Sequence, residues 1–168
     1  MTGGRFAARA ASPADAKAIA RIYNEGIADR IGTFETEPRS AQLIEAWFDG
    51  RHPIVVVEEG REVVAFASTS SYRARPCYTG IAEFSVYVAR SHRGAGAGLV
   101  AMAALLEAAT AAGFWKLLSR IFPENTASRA LMAKLGFREV GVYRRHGKLD
   151  DVWRDCVIVE RLLGEAAD

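Results

Sequence analysis

Apolar residues keep helical spacing from Ala16 through Ile19, Ala20, Tyr23 and Ile27, which predicts an amphipathic helix. Ser12-Pro13-Ala14-Asp15 starts it, with serine to cap and proline in the first turn. Ile31 to Pro38 reads as a loop, and a second helix is predicted from about Ser40 to Phe48. Residues 5–10 are a candidate first strand. Ile54-Val55-Val56-Val57-Glu58 is a strand, Glu59-Gly60-Arg61 a tight turn, and Val63 to about Tyr72 the antiparallel partner. In the next strand, Gly80 to Ala89, strict alternation puts Ala82, Phe84, Val86 and Val88 on one face and Glu83, Ser85 and Tyr87 on the other. A helix rich in Ala and Leu then runs to about Ala112, followed by a strand over Trp115 to Phe122. Thr126 to Leu135 is a helix closed by Gly136. Strands over Arg138 to Arg145 and Val152 to Leu162 end the pattern. This order predicts a single α/β (α+β) domain over residues 1–168, a mixed and mostly antiparallel twisted sheet flanked by helices. It is unlike a doubly wound nucleotide fold.

Composition narrows the function. Half of the 168 residues are hydrophobic and a quarter are charged, as in an ordinary globular protein with a real core. A net charge of +2 with no basic run gives no reason to expect a nucleic-acid partner. No apolar run is long enough to span a bilayer, and Met1 to Ala11 lacks a signal-peptide core. No membrane partner is expected, and the cytoplasm is the expected location. Cys77 and Cys156 are too few for a disulfide framework and lack metal-ligand spacing, so both are read as reduced thiols and no metal is expected.

Between the strand ending at Val88 and the helix beginning near Leu99 lies Arg93-Gly94-Ala95-Gly96-Ala97-Gly98. A strand, a glycine loop and a helix in that order suit a pyrophosphate. The glycines let backbone approach the ligand, and the unpaired N–H groups of the first helical turn point at it. No Gly-Lys-Ser/Thr follows, which excludes a P-loop, and the glycines are each two apart, which fails the dinucleotide spacing. The Arg-x-x-Gly-x-Gly spacing of Arg93, Gly96 and Gly98 resembles the acyl-CoA loop of the GCN5-related N-acetyltransferases (GNAT). Asn125-x-x-Ser128 before Leu135-Gly136-Phe137 resembles the same family. The resemblance runs from about Arg9 to Leu163. It implies acetyl-CoA as co-substrate, with the pyrophosphate held by Arg93, Gly94, Ala95, Gly96, Ala97, Gly98 and Leu99. It also implies that Val86 and Val88 lend backbone groups to the acetyl and pantetheine portion. Asn125 and Ser128 would face the pantetheine or phosphate end; the plain alternative is that Asn125 caps a helix.

Glu83 is a carboxylate inside an apolar strand, costly unless paired or used. Burial of a carboxyl group favours its protonated form and suits a general base. An ammonium must lose a proton before it can attack a thioester. The alternative is a glutamate held in a salt bridge. Glu83-Phe84-Ser85-Val86-Tyr87-Val88 looks like the catalytic strand of the phosphinothricin and arsinothricin N-acetyltransferases. So do Phe34-Glu35-Thr36-Glu37-Pro38, Tyr72-Arg73-Ala74-Arg75 and Tyr143-Arg144-Arg145-His146-Gly147. This resemblance implies Glu83 as base and a small anionic amino acid as acceptor. Arg73 and Arg75, two apart in extended backbone, point the same way and suit a forked clamp on an anion; two solvated arginines are the alternative. Phe34 is either an apolar wall for substrate or simply packed. His146 either orients substrate or relays a proton, or is a solvated histidine.

Two departures from the resembling families stand out. Asp150 replaces a second histidine after His146, and Met132 replaces a tyrosine general acid. Acetylation of another amine (methionine sulfoximine, a polyamine or a protein N-terminus) and a non-catalytic acyl-CoA-binding module are the competing readings. Relatives imply a homodimer.

Overall fold

The computed structural model describes residues 4–168. Its sheet runs in the order β1-β2-β3-β4-β5-β7-β6. The strands are β1 (Ala7–Ala10), β2 (Ile54–Glu59), β3 (Glu62–Ser71), β4 (Ile81–Val88), β5 (Lys116–Ile121), β6 (Arg138–Leu149) and β7 (Val152–Leu162). The helices are α1 (Ala16–Asp29), α2 (Ala41–Glu45), α3 (Ala97–Ala111) and α4 (Thr126–Lys134). Every neighbouring strand pair is antiparallel except β4 with β5. That parallel ladder is short: Ile81 pairs with Lys116, Ala82 with Leu117 and Glu83 with Leu118. Both strands continue, but each follows its other neighbour. β4 stays paired with β3 as far as Val88 opposite Ala65, and β5 with β7 as far as Ile121 opposite Val157. The sheet therefore opens beyond Glu83. The Ser119 hydroxyl spans the opening, donating to the Phe84 carbonyl at 2.8 Å.

The alternation in the strands fills two cores. On one face Val55, Val57, Ala65 and Phe84 meet Ala101, Met102 and Leu105 of α3 and Met132 of α4. On the other, Val56, Phe66 and Tyr87 meet Ile19, Ile22 and Tyr23 of α1 and Ile44 of α2. The predicted helix start is built as expected. The Asp15 carboxylate accepts from the Ser12 N–H at 2.9 Å and from two Arg9 N–H groups at 2.8 Å each, tying β1 to α1. Those Arg9 bonds hold the Asp15 carboxyl below its ordinary range, against the opposing effect of burial. Gly136 closes α4 with φ 82°, as its sequence position predicts. Among the described residues, no helix is long and apolar enough to cross a membrane.

Two elements differ from the sequence expectation. The second helix ends at Glu45 rather than Phe48. Trp47 instead turns inward, its ring edge-on to Tyr23 at 5.5 Å, and Asp49 accepts the N–H groups of Arg51 and His52. A tertiary aromatic contact and a local side-chain turn outcompete three more helical residues. The strand expected to end at Arg145 continues to Leu149. The charged run Arg144-Arg145-His146 is absorbed by a bulge between Tyr143 and Gly147, where Arg145 has φ 48° and its N–H donates to the Asp155 carboxylate at 2.6 Å.

Tyr87 joins the cores to the opening. Its ring stacks on Phe66 at 5.5 Å and meets Tyr23 edge-on at 5.1 Å. Its hydroxyl donates to the Gly32 carbonyl at 3.2 Å, holding the loop after α1. The ring lies so close to Gly26 that a Cβ there would sit 2.7 Å from it. Alanine raises helix propensity by about 1 kcal/mol, but overpacking a filled core costs about 1–3 kcal/mol. Gly26→Ala is therefore expected to lower the thermal midpoint by about 2–6 °C. An unchanged or raised midpoint in a calorimetric scan would mean that the ring moves aside freely.

Candidate active site

The opening between β4 and β5 forms a cleft of 480 Å³, bounded by Ser85–Val88, by residues 119–122, by the glycine loop and by Asn125 and Ser128 of the α4 entry. Gly94 and Gly96 have φ of 78° and 97°, a region that side chains strain. Gly96 caps α3, so the N–H groups of Ala97, Gly98 and Leu99 lack intrahelical partners. Gly98 serves packing: a Cβ there would lie 3.3 Å from Leu131 and 3.5 Å from Val88. Arg93, Gly94, Gly96, Gly98 and Leu99 form wall, whereas Ala97 is buried behind it and Ala95 is outside the lining. A side-chain-free loop with free amides, one guanidinium and a positive helix end fits a pyrophosphate, and the apolar Val86, Val88 and Leu131 fit a pantetheine arm.

Arg93 is held rather than free. Its Nη1 donates to Asp29 at 2.7 Å and its Nε to the Val88 carbonyl at 3.4 Å. Hydrogen bonds from Arg90, and then from Arg93, bring the Asp29 carboxyl down to about 2. Asn125 realises its capping alternative: its Oδ1 accepts from the Ser128 N–H and its Nδ2 donates to the Ile31 carbonyl, each at 3.1 Å. One side chain thus fastens α4 to the loop after α1 at the rim of the cleft.

Glu83 corrects the expectation of a buried acid. Its side chain is 28% exposed, and it accepts from Arg120 Nη2 at 2.9 Å. Glu83 is the last β4 residue paired with β5, so it sits where the sheet is still closed, just before the cleft begins. It reaches the cleft through Arg120, which does line it. Sequence reading missed Arg120. The signal was present: a charge within the apolar strand Leu117-Leu118-Ser119-Arg120-Ile121-Phe122 carries the same cost that singled out Glu83.

Arg73 and Arg75 come together in a second recess of 170 Å³, beside Arg51, Thr79 and Ile81. Arg73 lies over the Tyr72 ring at 5.1 Å, and Arg51 donates to the Thr79 carbonyl and hydroxyl. Ile81 and Glu83 point to the same face of β4, about 7 Å apart along the strand. Three sites therefore follow one another along β4: the basic recess at Ile81, the carboxylate at Glu83, and the cleft from Ser85 to Val88.

The remaining candidates differ in placement. Phe34 packs edge-on against Phe122 at 5.1 Å and so closely on Gly147 that a Cβ there would be 2.9 Å from its ring. His146 is exposed on β6 beside Tyr143, ring centroids 4.8 Å apart, and lines neither recess. Met132 is buried in the core at the position of the expected acid. The Tyr87 phenol borders the cleft, but burial pushes its pKa well up. Cys156 is buried, its thiol pushed up by desolvation, and Cys77 is exposed; neither lines the cleft. Among the described residues, no three His, Cys, Asp or Glu side chains gather as metal ligands.

Residues 19–137 match the model of the acetyltransferase (GNAT) family. A phosphinothricin N-acetyltransferase of Streptomyces coelicolor is 33% identical over 156 residues, covering 89% of this chain and 91% of the relative. An L-methionine sulfoximine/L-methionine sulfone acetyltransferase of Pseudomonas paraeruginosa is 32% identical over 157 residues, covering 90% and 91%. The crystal structure of a phosphinothricin acetyltransferase from Sinorhizobium meliloti in complex with AcCoA superposes with a TM-score of 0.89 at 30% identity, covering 96% of this chain and 90% of that one. With the glycine cradle, the open β4–β5 pair and these matches together, the chain belongs to the acetyltransferase (GNAT) family and is an acetyl-CoA-dependent N-acetyltransferase.

Proposed function

We propose that this protein acetylates the α-amine of a small anionic amino acid of the phosphinothricin, arsinothricin or methionine sulfoximine kind. One observation carries the reading: Glu83 lies on a single strand between a cleft suited to an acyl-CoA and a recess lined by arginines. The names of the relatives from Streptomyces and Pseudomonas agree with it. The basic recess argues against a polycationic acceptor such as a polyamine.

Acetyl-CoA supplies the thioester carbonyl that the amine attacks. Arg93 and the free amides from Gly94 to Leu99 hold the pyrophosphate, while Val86 and Val88 offer backbone groups to the acetyl and pantetheine portion. Glu83, directly or through water, takes the proton that the ammonium must lose. Strand N–H groups freed by the opening stabilise charge on the thioester oxygen; one such donor typically contributes about a hundredfold in rate. Holding donor and acceptor along one strand supplies proximity. Arg73 and Arg75 clamp an anionic group of the acceptor, and Phe34 walls the acceptor side. His146, exposed on β6 and outside both recesses, has no part in this scheme. Exposed Val140, Val142 and Tyr143 of β6 and Val152 and Trp153 of β7 form an apolar edge that pairs two subunits. The exposed Cys77 thiol fits the reducing cytoplasm.

A panel of phosphinothricin, arsinothricin, methionine sulfoximine, spermidine and a peptide N-terminus, assayed for free thiol release, tests the acceptor class. The amino acids are expected to turn over and spermidine not to. In Glu83→Gln, calorimetric acetyl-CoA binding is expected to persist while turnover at neutral pH falls about a hundredfold or more; unchanged turnover would remove Glu83 from the mechanism. Arg73→Ala and Arg75→Ala are expected to raise the KM for the anionic acceptor about tenfold, with the KM for acetyl-CoA unaltered. An unaltered acceptor KM would reject the clamp. Sedimentation is expected to give twice the mass of one chain, and a monomer at assay concentrations would reject the pairing.

A further inference from the structure

Glu83 and Arg120 present opposite charges on neighbouring strands, 2.9 Å apart. The contact is a single one, Nη2 to Oε1, not a fork. The Arg120 side chain is 46% exposed, and an exposed single-point pair adds little to stability. A guanidinium has five donors, so most of those on Arg120 have no acceptor among the described residues, and Arg120 lines the cleft. The nearby Arg154 is engaged otherwise, lying over Phe122 at 4.2 Å and paired with Glu124.

This arrangement mirrors the charges of an amino acid. An α-ammonium that gives its proton to Glu83 has its α-carboxylate one carbon away. With the proton passed directly, the cation that meets that carboxylate adjoins Glu83, as Arg120 does. Arg73 and Arg75 lie by a recess about 7 Å further along the strand, the reach of a distal side-chain group rather than of the α-carboxylate.

We propose that Glu83 and Arg120 together read the α-amino-acid zwitterion, Glu83 receiving the ammonium and Arg120 the α-carboxylate. The inference rests on the amino-acid reading above and deepens it. It makes Arg120 the specificity determinant that separates free amino acids from simple amines, and from a peptide N-terminus, whose α-carboxyl is consumed in an amide. The distal anion is then read separately, by the arginines of the second recess.

The test compares L-phosphinothricin with the aminopropyl methylphosphinate that lacks only its α-carboxylate. Wild type is expected to favour the amino acid in kcat/KM by about tenfold to a hundredfold, the worth of a charge-assisted hydrogen bond. In Arg120→Gln that preference is expected to collapse, through a much larger rise in KM for the amino acid than for the amine. Arg120→Lys, which keeps the charge without the planar donors, is expected to fall between. Calorimetric binding of acetyl-CoA reports whether each variant keeps its cleft. Should Arg120→Gln lose that binding, Arg120→Lys decides: a reduced preference supports the assignment and an unchanged one overturns it. A retained preference in Arg120→Gln, or an equal loss with both acceptors, overturns it too, the latter leaving Arg120 as a prop for Glu83. Failure of wild type to acetylate phosphinothricin, arsinothricin and methionine sulfoximine alike would instead reject the amino-acid reading itself.

Discussion

The parallel ladder between β4 and β5 ends after three residue pairs while both strands run on. Each strand remains satisfied on its outer side, β4 by β3 and β5 by β7, so the opening costs only the hydrogen bonds that face it. A backbone polar group left buried without a partner costs about 1–3 kcal/mol. The edges of the opening are therefore stable only where water, a side chain or a ligand meets them. Ser119 answers one carbonyl, that of Phe84. The rest of the opening borders the cleft, along which the proposed acetyl-CoA would lie. The glycine loop and the α3 terminus border the same cleft, and the proposed chemistry depends on this interruption in the sheet.

Charge is arranged around the opening in layers. At one end Asp29 fixes Arg90 and Arg93, so the arginine facing the cleft is preset rather than recruited from solvent. In the middle, Arg120 and Glu83 form an exposed pair that joins the two strands at the last point where they touch. At the other end, arginines gather where β3 turns into β4. α1 supports the cleft end of this arrangement. It carries Asp29 and seats Tyr87 on Gly26, and Tyr87 and the α4 cap Asn125 steady the loop that follows it at the cleft rim.

Much of this was written locally in the chain. Apolar runs and period-two alternation located the strands other than β6 to within about two residues at each end, because the two faces of a strand packed on a core admit few substitutes for Val, Ile and Phe. The Ser12–Asp15 start, the Gly136 stop and the glycine loop were legible because each answers a local backbone need: a free N–H, a positive φ, a close approach. Glu83 was legible because an isolated carboxylate in an apolar strand demands an explanation. The short second helix and the bulge in β6 were not, since each is decided by a contact with residues distant in the chain, Tyr23 in one case and Asp155 in the other.

The sequence by itself determined the elements, the cradle for a phosphate and the family to which they belong. Only the tertiary structure decided that Glu83 is partly exposed and partnered, that Arg120 is its partner, and that the paired arginines occupy a recess apart from the cleft. The reason is physical. Propensity and periodicity act over a few neighbouring residues, whereas the surroundings of a charge depend on which strands lie side by side and where their pairing stops.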